Sequence, residues 1–330
     1  MASCKGFYWK KEVDKDSNLE FIILGYRDKE QLRNCKEAWI VPSSGSNLCR
    51  FSVGEKNIID FDVELLLKGG YTGTPVLYPT PNRVRNGMFI YKGRIFNQVK
   101  RGEPVFEHGL VHNEAWEYNE PVVKDCCVCF NTWIDFDKAS TLFEAFPFNH
   151  RLMLEFCLSA DGIRVTYTIH NMDDQDIPFG FGLHPYFMKL SGEGNTYISL
   201  PADCVMDYTS DLLPTGRLID VKGTVYDIRN KVAIGKLDMD HVFTCISEGR
   251  FAEIVYDTLA ITVTLNATGD FSHLVLYSPR GKDFFCIENQ TCSTDAHNMF
   301  DRGFAAESGL KFVPAGGVHS GCVKYMIKFV

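Results

Sequence analysis

The chain has 330 residues, of which 45% are hydrophobic and 23% charged, and its formal net charge is −8. This composition is typical of a globular protein. The chain has no lysine- or arginine-rich block, so it lacks the basic surface that a nucleic-acid partner requires. Residues 1–16 contain no apolar h-region and no apolar run approaches a membrane span. We therefore expect no signal peptide, no membrane partner and a cytoplasmic location.

Most of the chain alternates polar and apolar residues, which is typical of half-buried antiparallel strands. Helical periodicity is scarce and predicts short helices only at residues 29–39 and 300–306. The turn-rich segments between the predicted strands are too short to be domain linkers. We therefore predict an all-β fold, a large antiparallel β-sandwich, in one domain over residues 1–330.

The first candidate functional segment in the chain is the loop at residues 79–87, which carries Asn82 and Arg83. Its two prolines make it rigid. An arginine on a stiff loop suits fixed hydrogen bonds to ligand oxygens, because its five donors are planar and always charged. The structural alternative is an exposed arginine that forms an ion pair.

Residues 107–116 contain two histidines, His108 and His112, at a spacing of four. On a helix this spacing could bind a metal, but Gly109 in a strand-rich chain favours a loop. The HExxH pattern of zinc peptidases is absent. A cupin-like metal enzyme that uses these histidines with Glu114 is one alternative function, although the ligand spacing is too wide for such a site.

Twelve cysteines in a chain without a secretion signal predict reduced thiols, mostly packed as small apolar side chains. Residues 126–136 begin with the pattern Cys-Cys-Val-Cys and continue with apolar and β-branched residues, so we interpret them as a strand. A zinc site would need a second pair of ligands, and Cys286 and Cys292 do not supply an obvious one. We expect no metal and no other cofactor.

Three further segments show unbroken alternation, at residues 164–170, 260–265 and 323–329. Asp161-Gly162 precedes the first of them and predicts a two-residue hairpin turn.

The segment at residues 179–187 places His184 among glycines and aromatic residues, directly before Pro185. Glycine permits turns that other residues cannot adopt, and proline fixes φ, so the histidine is held at a defined bend. Its ordinary pKa of roughly 6.5 allows proton transfer near neutral pH. The structural alternative is a histidine packed in an aromatic core.

Two carboxylates complete the set of candidate residues. Asp240 begins a predicted strand, which by itself indicates only a polar strand end. Glu288 lies in an aromatic strand at residues 283–291, and glutamate is rarely buried without a partner or a function. Burial would raise the pKa of Glu288, as a general base working near neutral pH requires.

Five blocks, in their order and approximate spacing, resemble the aldose 1-epimerase (galactose mutarotase) family. They are Asn82-Arg83, His108-Gly109, Gly182-Leu183-His184-Pro185-Tyr186-Phe187, Asp240-His241-x-Phe243 and Glu288-x-Gln290-Thr291. The resemblance implies a galactose mutarotase-like supersandwich that interconverts the α and β anomers of a free sugar without metal or nucleotide.

Carried over position by position, the resemblance implies Glu288 as general base and His184 as general acid. Arg83 and His108 would orient and polarise the sugar, and Asp240 would accept a hydrogen bond from a sugar hydroxyl. Asn82, beside Arg83, and Trp116 complete the candidate binding residues. Stacking on the sugar and packing in the core are the two alternatives for Trp116.

The chain departs from the family pattern at Asn289, where members often carry proline after the glutamate. A related branch acts on hexose 6-phosphates and tends to carry arginine where this chain has His112. Arg85, Lys92 and Arg94 could still bind a phosphate, but we favour an unphosphorylated aldose. A catalytically silent carbohydrate-binding protein on the same fold is the remaining alternative. Monomer and homodimer are both open.

Overall fold

Two large antiparallel sheets dominate the fold of residues 6–330, the part of the chain that the structure, a computed structural model, describes. In chain order the strands are β1 (Phe7–Val13), β2 (Glu20–Tyr26), β3 (Lys36–Val41), β4 (Asn47–Val53), β5 (Lys56–Ile59), β6 (Val76–Leu77), β7 (Met88–Tyr91), β8 (Arg94–Asn97), β9 (Val99–Lys100), β10 (Glu103–Pro104), β11 (Glu117–Tyr118), β12 (Val122–Val123), β13 (Cys127–Phe136), β14 (His150–Ser159), β15 (Gly162–Asn171), β16 (Ile177–Phe179), β17 (Gly182–Leu183), β18 (Tyr186–Met188), β19 (Thr196–Ser199), β20 (Ala202–Tyr208), β21 (Pro214–Asp220), β22 (Val232–Ala233), β23 (Asp240–Ile246), β24 (Ala252–Tyr256), β25 (Ile261–Ala267), β26 (His273–Tyr277), β27 (Phe284–Gln290), β28 (Lys311–Val313) and β29 (Val318–Phe329).

The larger sheet, sheet I, has the strand order β1-β2-β3-β4-β5-β18-β27-β26-β23-β20-β21, with β17 and β6 attached beside β27. Sheet II has the order β11-β13-β14-β15-β29-β25-β24-β19-β22, with β12 also paired to β13. Three two-stranded ribbons, β7–β8, β9–β10 and β16–β28, complete the strands. The predicted all-β antiparallel sandwich is confirmed.

A continuous hydrophobic core lies between the two sheets and is rich in aromatic side chains. Phe51 of sheet I and Phe130, Tyr167 and Tyr325 of sheet II each keep at most 1% of their surface exposed. Burying a side chain of this size stabilises the fold by roughly 1.5–3 kcal/mol. The many phenylalanines and tyrosines of the sequence therefore serve mainly to fill this core.

The period-two segments form strands whose alternate side chains enter the core, as predicted. In β15, Val165, Tyr167 and Ile169 are buried and the residues between them are partly exposed. The hairpin between β14 and β15 is also confirmed, one residue earlier than expected. Its turn is residues 160–161, and Gly162, at φ +149°, already pairs with Ser159.

The predicted helices are only partly correct. Residues 29–39 contain a single 3-10 turn, Leu32–Asn34, and then enter β3, because alternate residues from 36 onward are buried against the core. Gly303, at φ +92°, lies within the helix predicted at residues 300–306 and separates two short helices there.

The described part of the chain has no helix both long and apolar enough to span a membrane. Its α-helices are α1 (Val63–Leu67), α2 (Leu142–Ala145), α3 (Gly192–Asn195), α4 (Ala296–Asp301) and α5 (Ala305–Ser308), and three further 3-10 turns lie at Arg85–Gly87, Ile234–Lys236 and Asp257–Leu259.

The expectation of reduced thiols is wrong for one pair of cysteines. Cys129 of β13 and Cys157 of β14 form a disulfide. The two residues are directly opposite in the register of these strands, so strand pairing alone brings their side chains together. The interpretation of residues 126–136 as a strand is confirmed by β13.

Candidate active site

Strand register in sheet I brings the two predicted proton-transfer residues together. The short strands β17 and β18 both pair with β27, one on each side of His184 and Pro185. The flanking pairs are Gly182↔Gln290 and Tyr186↔Cys286. The same register continued across the gap places His184 opposite Glu288, and the Nε2 to Oε1 distance is 3.2 Å.

Burial shifts the pKa values of the two residues of this pair in opposite directions. The side chains of His184 and Glu288 are only 7% and 2% exposed. Burial raises the pKa of Glu288 well above its usual value, and the hydrogen bond donated by Gln290 to its Oε2 at 2.9 Å opposes the shift. Burial lowers the pKa of His184 to about 4. Because both shifts favour the uncharged forms, the contact lies between two neutral groups and is not an ion pair.

Backbone conformation places His108 beside this pair. His108 has φ +61°, and its backbone N–H donates to the carbonyl of Asn82 at 2.9 Å. Gly109 follows at φ +72°, where a Cβ atom would lie 2.2 Å from the carbonyl oxygen of Tyr78. Only glycine allows the chain to pass so close to Tyr78 and to direct the histidine into the site.

Replacing Gly109 by alanine is therefore expected to destabilise the protein by about 3 kcal/mol or more, from the strained φ and the overlap with Tyr78. Gly223→Ala is the matched control. Its φ is +73°, but nothing lies within 4 Å of the added Cβ, so only the backbone strain, about 1–2 kcal/mol, should appear. Urea unfolding of the two variants measures the difference. Equal losses would show that the Tyr78 contact does not constrain the loop.

Aromatic rings pack around the pair on two sides. Tyr186 stacks parallel to His184, with ring centroids 4.9 Å apart and an interplanar angle of 10°. His108 meets His184 edge-on at 5.3 Å, and Tyr71 meets His108 edge-on at 4.6 Å. His112 lies behind Tyr71 at 4.8 Å, so it supports the ring next to the site. These rings fix His108 and His184 in their orientations.

Arg83 and Asp240 form the polar, more accessible side of the site. Arg83 Nη2 lies 3.7 Å from Asp240 Oδ2, and both side chains are more than a third exposed, at 34% and 38%. An ion pair this long and exposed stabilises the fold little, so both groups remain available to a ligand. The charge of Asp240 acts on Glu288 and that of Arg83 on His108, which places all four groups in one electrostatic environment.

The other two predicted binding residues lie in different surroundings. Asn82 is 6% exposed and contacts the cluster. Its Oδ1 accepts from the backbone N–H of Arg83 at 2.8 Å and lies 3.5 Å from Arg83 Nη1, and its carbonyl accepts from the backbone N–H of His108, so it holds the loops that carry these two residues. Trp116 packs in the hydrophobic core, and its indole N–H donates to the carbonyl of Val111. The cluster thus consists of Glu288, His184, His108, Arg83 and Asp240.

Sequence reasoning named Gln290 in a family block but gave it no role, and it missed Tyr71. The role of Gln290 could have been found from its position two residues after Glu288, on the same face of β27. Tyr71 lies in a turn-rich segment without any sequence signal for its position.

The histidines of the 107–116 loop do not assemble a metal-binding group with Glu114. Within residues 6–330, the one close group of three metal-ligating side chains is Cys127, Cys129 and Cys157, in sheet II. Glu114 instead accepts hydrogen bonds from Lys100 and Arg101. The cupin-like alternative therefore has no support in the geometry.

A match to a protein-family model identifies the family of this chain. The model described as aldose 1-epimerase matches residues 29–321, most of the chain. The chain belongs to the aldose 1-epimerase family. The predicted resemblance is confirmed.

Individual members of the aldose 1-epimerase family are distant in sequence. The galactose mutarotase of Sus scrofa is 27% identical over 179 residues, which are 52% of this chain and 49% of that protein. The chain thus matches about half the length of this relative. The galactose mutarotase of Rattus norvegicus is 25% identical over 247 residues, 68% of this chain and 69% of the relative.

Solved structures share the fold over nearly the whole chain. A galactose mutarotase-like protein from Clostridium acetobutylicum has a TM-score of 0.85 at 22% identity and covers 99% of this chain and 100% of its own. The galactose 1-epimerase of Lactobacillus acidophilus NCFM has a TM-score of 0.74 at 15% identity, with 98% of each chain covered. At these identities the likeness concerns the fold alone.

Proposed function

We propose that this protein is an aldose 1-epimerase that interconverts the α and β anomers of a free aldohexose, with Glu288 as general base and His184 as general acid. The observation that carries the proposal is the 3.2 Å separation of His184 Nε2 and Glu288 Oε1. A hemiacetal carbon bears two oxygens, the C1 hydroxyl and the ring oxygen. Two proton-transfer groups this close can serve both oxygens at once.

Ring opening requires one proton to leave the C1 hydroxyl and one to reach the ring oxygen. Transfer of the Glu288 proton to His184 Nε2 prepares the pair. The Glu288 carboxylate then takes the hydroxyl proton, and His184 Nε2–H donates to the ring oxygen as the C1–ring-oxygen bond breaks. The free aldehyde rotates about C1–C2, and the same groups return the protons in reverse roles as the ring closes on the other face. The pair begins and ends with one proton.

The surrounding cluster supplies groups that suit a sugar. Arg83 offers charged donors and Asp240 an acceptor on the accessible side of the pair. His108 lies against His184 and can stabilise negative charge that develops on oxygen. The Tyr186 ring beside His184 offers an apolar face of the kind on which sugar C–H groups pack.

The positions of the basic residues favour an unphosphorylated sugar. The guanidinium of Arg85 lies against the buried carboxylate of Asp295, with Nε 3.6 Å from Oδ2. Lys92 faces Asp176 instead, and Arg94 lies over the ring of Phe96. Each of these three cations thus has a partner within the protein, which disfavours a role as the counter-charge of a sugar phosphate. A hexose-6-phosphate mutarotase is therefore the second candidate.

A catalytically silent sugar-binding protein is the third candidate and the least supported. Burying a carboxyl group against an imidazole costs desolvation free energy that a simple binding site has no need to spend. Asn289, the departure from the family pattern, does not argue for loss of activity. Its side chain follows that of Glu288 on β27 and therefore points to the opposite face of the strand.

Polarimetry tests the proposal directly. Freshly dissolved α-D-glucose, α-D-galactose and α-D-glucose 6-phosphate are followed to anomeric equilibrium with and without protein. We expect one or both free sugars to equilibrate faster with protein, and the phosphate to respond less. Acceleration of the phosphate alone would favour the second candidate. Sugar binding by calorimetry without any acceleration would favour the third.

The pH profile of kcat/KM is expected to be a broad bell. As the pH falls through about 4, the lowered pKa of His184, a second proton enters the pair, so Glu288 can no longer pass its proton to His184 to become a carboxylate. As the pH rises through the raised pKa of Glu288, the pair loses its last proton and cannot protonate the ring oxygen. The uncatalysed rate is subtracted at each pH, and the enzyme is returned to neutral pH to verify reversibility. An acidic limb near pH 6.5, the ordinary histidine value, would contradict burial of a neutral His184.

A further inference from the structure

Three cysteine sulfurs meet on the outer face of sheet II, in the opposite sheet from the Glu288–His184 pair. Cys127 and Cys129 lie two residues apart on the same face of β13, and Cys157 faces Cys129 from β14. Cys129 and Cys157 are bonded, and the Cys127 Sγ lies 3.7 Å from the Cys129 Sγ. All three sulfurs lie within 4.8 Å of one another. The proposed sugar chemistry uses none of them.

The three sulfurs differ in their access to solvent. Cys129 and Cys157 are buried, with 3% and 6% of their surface exposed, whereas Cys127 is half-buried. A cleft of about 280 Å³ opens over the cluster and is lined in part by Cys127, Cys157, Asp161, Arg164 and Lys324. Arg164 pairs with Glu155 at 2.8 Å, so Lys324 is the cation of the cleft best placed to attract a carboxylate-bearing thiol or disulfide. Such a molecule reaches the half-buried Cys127 more readily than the two buried sulfurs.

We propose that Cys127 is a relay thiol through which a small carboxylate-bearing thiol or disulfide, of the glutathione type, reduces and forms the buried Cys129–Cys157 disulfide. The three cysteines would thus form a redox-modification site, independent of sugar chemistry.

In the reducing direction, the Cys127 thiolate attacks the Cys129 Sγ. A Cys127–Cys129 bond forms, and Cys157 leaves as a thiolate that takes a proton from solvent. A small thiolate then attacks the Cys127 Sγ, which releases Cys129 and leaves a mixed disulfide on Cys127. A second small thiolate attacks the small-molecule sulfur of that bond and frees Cys127. Overall, two small thiols become one small disulfide, and the protein disulfide becomes two thiols.

The test measures how fast reduced glutathione opens the Cys129–Cys157 disulfide. Wild type, Cys127→Ser and the control Cys126→Ser are first oxidised to completion with oxidised glutathione, and quenched samples are mapped by peptide mass spectrometry. Burial and the contact with Cys126 raise the pKa of the Cys127 thiol, so the assay is run under mildly alkaline conditions, where more thiolate is present. Equal thermal unfolding midpoints of the oxidised proteins show that the variants keep the fold.

We expect Cys127→Ser to be reduced about tenfold more slowly than wild type, because its buried bond loses the neighbouring nucleophile. Cys126→Ser, which removes the exposed neighbouring thiol and with it a contact that raises the pKa of Cys127, should be reduced at least as fast as wild type. Equal rates in wild type and Cys127→Ser, or equal slowing in both variants, would overturn the relay. Absence of a Cys129–Cys157 disulfide from oxidised wild type would overturn it as well.

Cys157→Ser gives a second, independent readout. Without Cys157 to displace it, the intermediate bond between Cys127 and Cys129 should accumulate when this variant meets oxidised glutathione. Fragmentation of the peptide that contains both residues locates the bond. Glutathione adducts without a Cys127–Cys129 bond would contradict the proposed sequence of exchanges.

Discussion

Glu288→Gln is expected to lower kcat for mutarotation by about 10²–10⁴-fold and to leave KM nearly unchanged. The amide has the shape of the carboxyl group and can still hydrogen-bond to His184, but it cannot take the proton of the C1 hydroxyl. Because Glu288 is 2% exposed and Gln290 donates to it at 2.9 Å, the replacement changes the proton chemistry with little change in packing.

The matched control for this change is Glu144→Gln, an exposed glutamate in α2. It should retain the wild-type rate. Initial rates come from polarimetry after subtraction of the uncatalysed rate, and thermal unfolding confirms that both variants are folded. If Glu288→Gln equilibrates the sugar at the wild-type rate, Glu288 is not the base and the proposed mechanism fails.

His184→Asn is expected to lower kcat by a similar factor, about 10²–10⁴. Asparagine retains a polar group opposite Glu288 but supplies no proton to the ring oxygen near neutral pH. His170→Asn, on the partly exposed face of β15, is the control and should remain fully active.

The double variant Glu288→Gln with His184→Asn distinguishes a working pair from two separate contributions. Since each group is useful only when the other is present, the double variant should be about as slow as the slower single variant. Multiplication of the two single losses would show that the residues act independently, and the mechanism in which the two groups exchange a proton would then be wrong.

The fold was predictable because burial in a two-sheet sandwich imposes period two on the sequence. Residues 164–170 illustrate this, since every second side chain of β15 enters the core. The helix predicted at residues 29–39 failed because a few residues of ambiguous periodicity carry no information about β2 and β4, the strands between which β3 lies. The Cys129–Cys157 bond depends on which strands are neighbours, and a single sequence does not specify strand pairing.

The members of the candidate site were predictable as residue types, but their arrangement was not. His184 and Glu288 were proposed from local composition and from the family resemblance, and their catalytic roles stay predictions. Their contact depends on the pairing of β17 and β18 with β27, which joins segments about a hundred residues apart. Trp116 was proposed as a binding residue from local composition, but it packs in the core. An aromatic residue near a histidine motif is equally consistent with either position. The single-domain organisation, cytoplasmic location and oligomeric state also stay predictions.

The pairing of β17 and β18 with β27, on either side of His184 and Pro185, determines how the protein loses activity on heating. The acid and the base are held by main-chain hydrogen bonds on both sides of the gap, in the middle of sheet I and not on a mobile lid. Central strands of this kind separate only when the whole molecule opens. Heat inactivation should therefore coincide with global denaturation, without an earlier phase in which a folded protein has lost its chemistry.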